Sequence, residues 1–167
     1  MKEGSVTAVK KTADPIARLM QEHDETLLQL KLLNKAVYAF SQDGYSARHF
    51  QQVVAALRFI EEEVSVHNAK EERALFPVLE RYVEGPTRIM RHDHKKLKKG
   101  FIQLREAVKR VEKKRDSFSA IKDLKTIAKG VVQLFVNHIH KENYILFPLV
   151  QQFLDKEELR EVAKKML

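Results

Sequence analysis

The sequence contains no cysteine. That one absence removes disulfides, thiolate metal sites, iron–sulfur clusters held by thiolates and a thiol nucleophile together. Any metal site has to be built from nitrogen and oxygen ligands. No apolar run approaches the roughly 18–20 residues that a membrane helix needs, so no membrane partner is expected. The opening MKEGSVTAVKKTADP has no apolar h-region. No secretory signal is therefore expected, residues 1–13 read as a short disordered lead-in, and a reducing cytoplasmic setting is the default. Glycine and proline are scarce, at 5 and 4 residues in a chain of 167.

With few helix breakers, apolar residues recur at a spacing of three to four almost throughout, which reads as all-α. The spacing predicts a first helix from about Asp14 to Ser41, with Pro15 in its first turn and the stripe Ile16, Leu19, Met20, His23, Leu27, Leu30, Val37. The turn Gln42-Asp43-Gly44 ends it. A second helix starts near Ser46 and carries Val53, Leu57, Ile60, Val64, His67, Glu71, Ala74 and Val78, with Pro77 expected to kink or end it. Gly85-Pro86 is the next break, and a third helix runs to about Lys114. Asp116 or Ser117 caps a fourth, whose stripe is Ile127, Val131, Leu134, His138, Glu142, Ile145 and Leu149. Pro148 stands where Pro77 stood. Asp155 then opens a short last helix, with Glu158 completing a capping box. The expected fold is an antiparallel up-down-up-down four-helix bundle over residues 14–153, followed by a C-terminal helix over 154–167.

The net charge is +8, with lysines crowded at Lys95-Lys96, Lys98-Lys99 and from Lys109 to Arg115. They interleave with Leu97, Phe101, Leu104, Val108 and Val111, the pattern of a solvated amphipathic face, so nucleic acid is not an expected partner.

Two segments repeat. HNAKEERALFP begins at His67 and HIHKENYILFP at His138, 71 residues later, and they share His, Lys, Glu, Leu, Phe and Pro. Such a repeat in a short chain implies two helical hairpins related by pseudo-two-fold symmetry. Applied to His23, the same offset lands on His94 rather than His92. The apolar positions Leu97, Phe101, Leu104, Val108 and Val111 share the face of His94, so His94 points inward and His92 outward. Each half thus offers an inward His from its first helix and an inward His-x-x-x-Glu from its second. Residues i and i+4 lie one above the other on a helix, so His67 with Glu71, and His138 with Glu142, each present a nitrogen and a carboxylate to one point. Distances in sequence from the connecting turns place all six groups at similar depth.

Four histidines and two glutamates converging inside a bundle are costly unless something pairs with them. Two metal ions answer the need: the carboxylates can bridge, each ion takes histidine nitrogens, and room remains for an exogenous ligand. Imidazole and carboxylate suit iron; zinc and manganese are chemically open, and spacing does not choose among them.

The segments EHD at His23, HxxxE at His67, GPTRIMRHDH ending at His94, and HxxxE followed by LFP at His138 resemble the hemerythrin-like (HHE cation-binding) domain over residues 14–153. The resemblance implies a non-haem di-iron centre of two iron ions, oxo- or hydroxo-bridged, held by His23, His67, Glu71, His94, His138 and Glu142, with the two glutamates bridging. Oxygen-carrying hemerythrins have HxxxH on the third helix and HxxxxD on the fourth; here those positions are Lys98 and Asn143. The more even arrangement is similar to the branch containing di-iron proteins that repair damaged iron centres and the iron-sensing domain of a ubiquitin-ligase subunit. Repair proteins usually carry an added N-terminal cysteine-bearing domain, so repair ranks below binding. The expected function is binding or sensing of O2 or NO at an open di-iron site. Redox catalysis (peroxide decomposition or NO reduction) and iron handling, with a protein partner docking on the basic face, stand as alternatives, so enzyme status is open.

Around the site, Asp24 or Asp93 is expected to accept the outer ring proton of a ligand histidine. Glu63 is a candidate extra carboxylate of the pocket. His140 is expected to point away, and His49 and His92 to lie at the surface. Phe76, Phe147, Leu27 and Phe101 read as core packing near the site, and Tyr144 as a neighbour of unknown direction.

Overall fold

The computed structural model describes residues 14–167, so the lead-in expected over 1–13 lies outside the described residues. Among the described residues the chain is helical, without strands. Helix α1 spans Pro15–Asp43. Asp14 caps it by accepting the Ile16 N–H at 2.9 Å, and Pro15 occupies its first turn, where a missing N–H costs nothing. The helix stops at Gly44, whose φ of 79° suits a residue without Cβ. Helix α2 spans Ala47–Lys70 under a Ser46 cap. A π-helical turn, Glu71–Leu75, and a single α-turn, α3 (Phe76–Leu79), follow it. Helix α4 spans Gly85–Lys113, and α5 spans Phe118–Lys141 with Ser117 accepting the Ala120 N–H at 3.1 Å. A second π-helical turn, Glu142–Leu146, then leads into α6 (Phe147–Phe153). Helix α7 spans Lys156–Lys165 and opens on the Asp155–Glu158 capping box that the sequence predicts.

The two widened turns have a common cause. Pro77 and Pro148 offer no N–H, and in an α-helix each ring would press on the carbonyl four residues back. The backbone absorbs this by loosening one turn, with the Phe76 N–H bonding to the Glu71 carbonyl and the Phe147 N–H to that of Glu142. The extra residue advances the helix face by one position. The stripe expected through Ile145 and Leu149 therefore runs through Leu146 and Val150, and Ile145 faces solvent. In the first half Ala74 stays buried because α7 packs over that turn. Met20, also expected in a stripe, is exposed.

Helices α1 and α2 pack on each other, as do α4 and α5; α1 also packs on α5, and α2 more loosely on α4. Their buried side chains form two apolar clusters. The larger includes Leu30, Leu33, Ile60, Leu97, Leu104 and Phe135. The smaller includes Leu19, Leu75, Phe76, Met90, Leu146 and Phe147, and α7 contributes Val162 and Met166 to it. Along every long helix a buried polar residue stands between the two clusters: His23 between Leu19 and Leu30, His67 between Ile60 and Leu75, His94 between Met90 and Leu97, His138 between Phe135 and Leu146. The polar site is thus a layer sealed from both ends. Among the described residues no helix is long and apolar enough to cross a membrane.

Leu33, fully buried in the larger cluster, tests that seal. Leu33→Ala is expected to lower unfolding free energy by about 2–5 kcal/mol in urea titrations, with helicity of the folded state retained.

Candidate metal centre

All six residues expected to line the site meet in one buried layer. His23, His67, Glu71 and Glu142 form one group, and Glu71, His94, His138 and Glu142 a second; within each group the ligand atoms lie within 4.8 Å of one another. The glutamates belong to both groups and are 0% exposed. Glu142 Oε2 lies 2.8 Å from His23 Nε2 and 3.8 Å from His67 Nε2. Its Oε1 lies 2.8 Å from His138 Nε2 and 3.6 Å from His94 Nε2. Glu71 reaches His67 through Oε1 and His94 through Oε2, both at 3.3 Å. The helices dictate this sharing: each HxxxE places its glutamate one turn past its histidine, toward the midline of the layer.

Within the protein these atoms are not satisfied. Both oxygens of Glu71, both of Glu142, and Nε2 of His94 and His138 are buried with no hydrogen-bond partner. A buried charge without a matched partner costs several kcal/mol, yet this layer collects them. Two cations, each taking two imidazole nitrogens and one oxygen from each of two shared carboxylates, would satisfy every one of these atoms. The donor set fits: neutral imidazole and carboxylate suit borderline divalent and trivalent metals.

The outward ring nitrogens show how the histidines are held. His23 Nδ1–H donates to Asn143 Oδ1 at 2.6 Å, His67 Nδ1–H to Glu22 Oε2 at 2.8 Å, and His94 Nδ1–H to Glu72 Oε1 at 2.7 Å. His138 Nδ1 faces Asp93 Oδ2 at a longer 3.4 Å. Each contact keeps Nδ1–H pointing out and aims Nε2 inward. Lys70 in turn pairs with Glu22, and Lys141 with Asp93 at 2.7 Å. Burial opposes the charge on both acids, but His67 and Lys70 outweigh it and hold Glu22 at about 2, while Lys141 and His138 draw Asp93 below its ordinary value. Phe147 stacks on His23 and Phe76 on His94, at ring-centre distances of 5.4 and 5.9 Å.

The same 71-residue offset relates this outer layer: Glu22 to Asp93, Lys70 to Lys141, Glu72 to Asn143, Phe76 to Phe147. Asp93 fills the role expected of it. Asp24 does not; it is exposed, and Glu22 holds the histidine instead. The offset that pairs Asp93 with Glu22 pairs Asp24 with Lys95, so the repeat itself distinguishes the two acids. Glu72, Asn143 and the two lysines are further contributors that the ligand pattern alone passes over. Glu63, His92, His140 and Tyr144 are exposed and take no part in the layer, while His49 is half-buried beside Phe40.

Fold and site together define a helical protein whose buried histidines and glutamates could hold cations. Residues 14–150 match the model of the hemerythrin HHE cation-binding domain, and the chain belongs to that family. Curated relatives include proteins named iron-sulfur cluster repair protein YtfE. The one from Musicola paradisiaca and one from Yersinia pseudotuberculosis are each 27% identical over 137 residues, and that from Pectobacterium atrosepticum 28%. Each alignment covers 80% of this chain but 61% of the relative, so the chain spans about three fifths of the length of these proteins.

The electrostatics couple cation binding to proton release. Burial disfavours a charged His67, but Glu71, Glu142 and Glu22 outweigh it and hold its pKa well above the ordinary value; Glu142, Glu71 and Glu72 likewise hold His94 at about 10. Both rings are therefore biased toward the protonated form, whose added proton a cation must displace. Cation loading is expected to release protons, read from the dependence of calorimetric binding heat on buffer ionisation enthalpy. Release near zero would contradict the ligand set.

Proposed function

We propose that this protein holds two iron ions, as an oxo- or hydroxo-bridged pair, in the layer between its two apolar clusters. His23 and His67 take one ion, His94 and His138 the other, and Glu71 and Glu142 bridge. The protein binds or senses O2 or NO there. Residues 14–153 are the binding unit, an antiparallel up-down-up-down four-helix bundle in the cytoplasm, and 154–167 form the helix docked on it. The observation that carries this reading is the sharing of both fully buried glutamates between two histidine pairs. The donor chemistry admits iron, and iron rather than another cation is supported by the names of the relatives, which concern iron–sulfur clusters.

When bound, such a pair supplies reversible binding of diatomic ligands and one-electron chemistry. The chain's own contribution is positional. Two histidines and two bridging carboxylates leave each ion short of six ligands, so a coordination position remains for an exogenous molecule. Phe76 and Phe147 seal the layer on one side, and the outer acids and Asn143 fix ring orientation. A second reading, iron handling or repair of iron centres, is favoured by the same relatives.

Mass spectrometry of metal on freshly purified protein, with its optical spectrum, is the direct test. About two irons per chain and near-ultraviolet bands of bridged ferric iron are expected, with a spectral change when the reduced protein meets NO or O2. Zinc, manganese or no metal after anaerobic ferrous loading would overturn the iron centre. Iron without any response to either gas would leave iron handling as the function.

The double variant Glu71→Ala, Glu142→Ala is expected to lose both irons. Chelation should lower the melting temperature of the native protein by several degrees and leave that of the variant unchanged.

A further inference from the structure

A cavity of about 530 Å³ lies between α2 and α4 and ends against His94 and Glu72. It is far larger than a diatomic molecule and falls in the range of pockets that hold small organic ligands. The pseudo-two-fold shows why it opens on this side. Its α2 wall carries Ser65, Asn68 and Ala69; the matching positions on α5 are Val136, Ile139 and His140. Of these only Ile139 is buried, where Asn68 is half-buried, and α2 and α4 pack more loosely than α1 and α5.

The α4 wall also departs from the repeat. It presents Lys95 and Lys98 where α1 has Asp24 and Leu27. The other charges of the cavity are matched. Arg105 pairs with Glu61 at 3.0 Å, Arg91 with Glu80 at 2.8 Å, and Glu72 accepts from His94 at 2.7 Å. Among the described residues neither Lys95 nor Lys98 has a carboxylate partner, so the cavity carries two uncompensated positive charges. Beyond them, away from His94, the lining turns apolar, with Val64, Phe101 and Ile102.

We infer that this cavity is a binding site for a small amphipathic organic anion. Its carboxylate sits between Lys95 and Lys98, with Ser65 and Asn68 on the facing wall able to donate hydrogen bonds, and its apolar body lies along Val64, Phe101 and Ile102. Glu72 at the inner end repels a second negative charge, which favours a monoanion and fixes its direction. The site borders the hydrogen bond that orients His94, so an occupant lies beside the metal layer on one side only. None of this depends on which cation the layer holds.

The test uses the purified full chain with its native metal, decanoate as ligand and isothermal calorimetry as readout. One decanoate per chain with Kd on the order of 10 µM is expected. Lys95→Glu with Lys98→Glu, both exposed positions, should weaken binding at least about tenfold. Ala69→Phe, which adds bulk on the α2 wall, should abolish it. Decanol, with the same body and no charge, should bind at least about tenfold more weakly than decanoate. Metal content and helicity of each variant confirm that the fold is kept; Lys95→Ala with Lys98→Ala is the milder substitute where they do not. No measurable heat with decanoate, or equal affinity in the native chain and both variants, would overturn the site.

Discussion

Two carboxylates with no exposure to solvent, each shared among four imidazoles, are the constraint around which this molecule is arranged. A carboxylate in an apolar interior is tolerated only beside compensating positive charge. The chain alone does not give Glu71 and Glu142 a full set of hydrogen bonds: all four of their oxygens are buried without a hydrogen-bond partner. The apolar clusters above and below do not relieve this tension. They maintain it, by excluding the water that would otherwise satisfy the six groups. Cation binding and burial are therefore one design, and stability of the layer is inseparable from what fills it.

The outer contacts are as much part of that design as the ligands. A histidine on a helix can rotate, and either ring nitrogen can carry the proton. Glu22, Glu72 and Asn143 remove that freedom by accepting from Nδ1, and Lys70 keeps Glu22 charged enough to do so. These residues sit at the rim, where a side chain can reach a buried ring while its other end meets solvent or a lysine. Their half-exposed position explains both their usefulness and their near-invisibility in a hydropathy pattern.

What was legible in the sequence follows from the same geometry. The six central residues stand on apolar stripes, so period and repeat together select His94 over His92 and bring all six to one level. The helix ends were legible because Asp14, Ser46, Ser117, Gly44 and the Asp155–Glu158 box act locally. The phase of the helices beyond the site was not. Pro77 and Pro148 signal a disturbance, but whether the backbone kinks, stops or widens by one residue depends on packing. The widening moved the buried face from Ile145 to Leu146. Asp24 was a plausible partner by adjacency alone, whereas the offset that found His94 also points from Asp93 to Glu22. Symmetry was the stronger guide wherever it was applied.

Two failures of the symmetry meet at His94. His23 leans on the neutral amide of Asn143, while the equivalent His94 leans on the carboxylate of Glu72. An imidazole whose outer N–H is held by a carboxylate is the more basic, so His94 is more basic than His23, while His67, with Glu22 at 2.8 Å, is held more closely than His138, with Asp93 at 3.4 Å. The cavity between α2 and α4 ends at that same His94. Two independent substitutions, amide for acid in the outer layer and small polar residues for bulky ones along the helix, thus make a duplicated site unequal in electronics and in access. The layer is thus unequal on its two sides, and a molecule entering the cavity would meet His94 before any other of the six central residues.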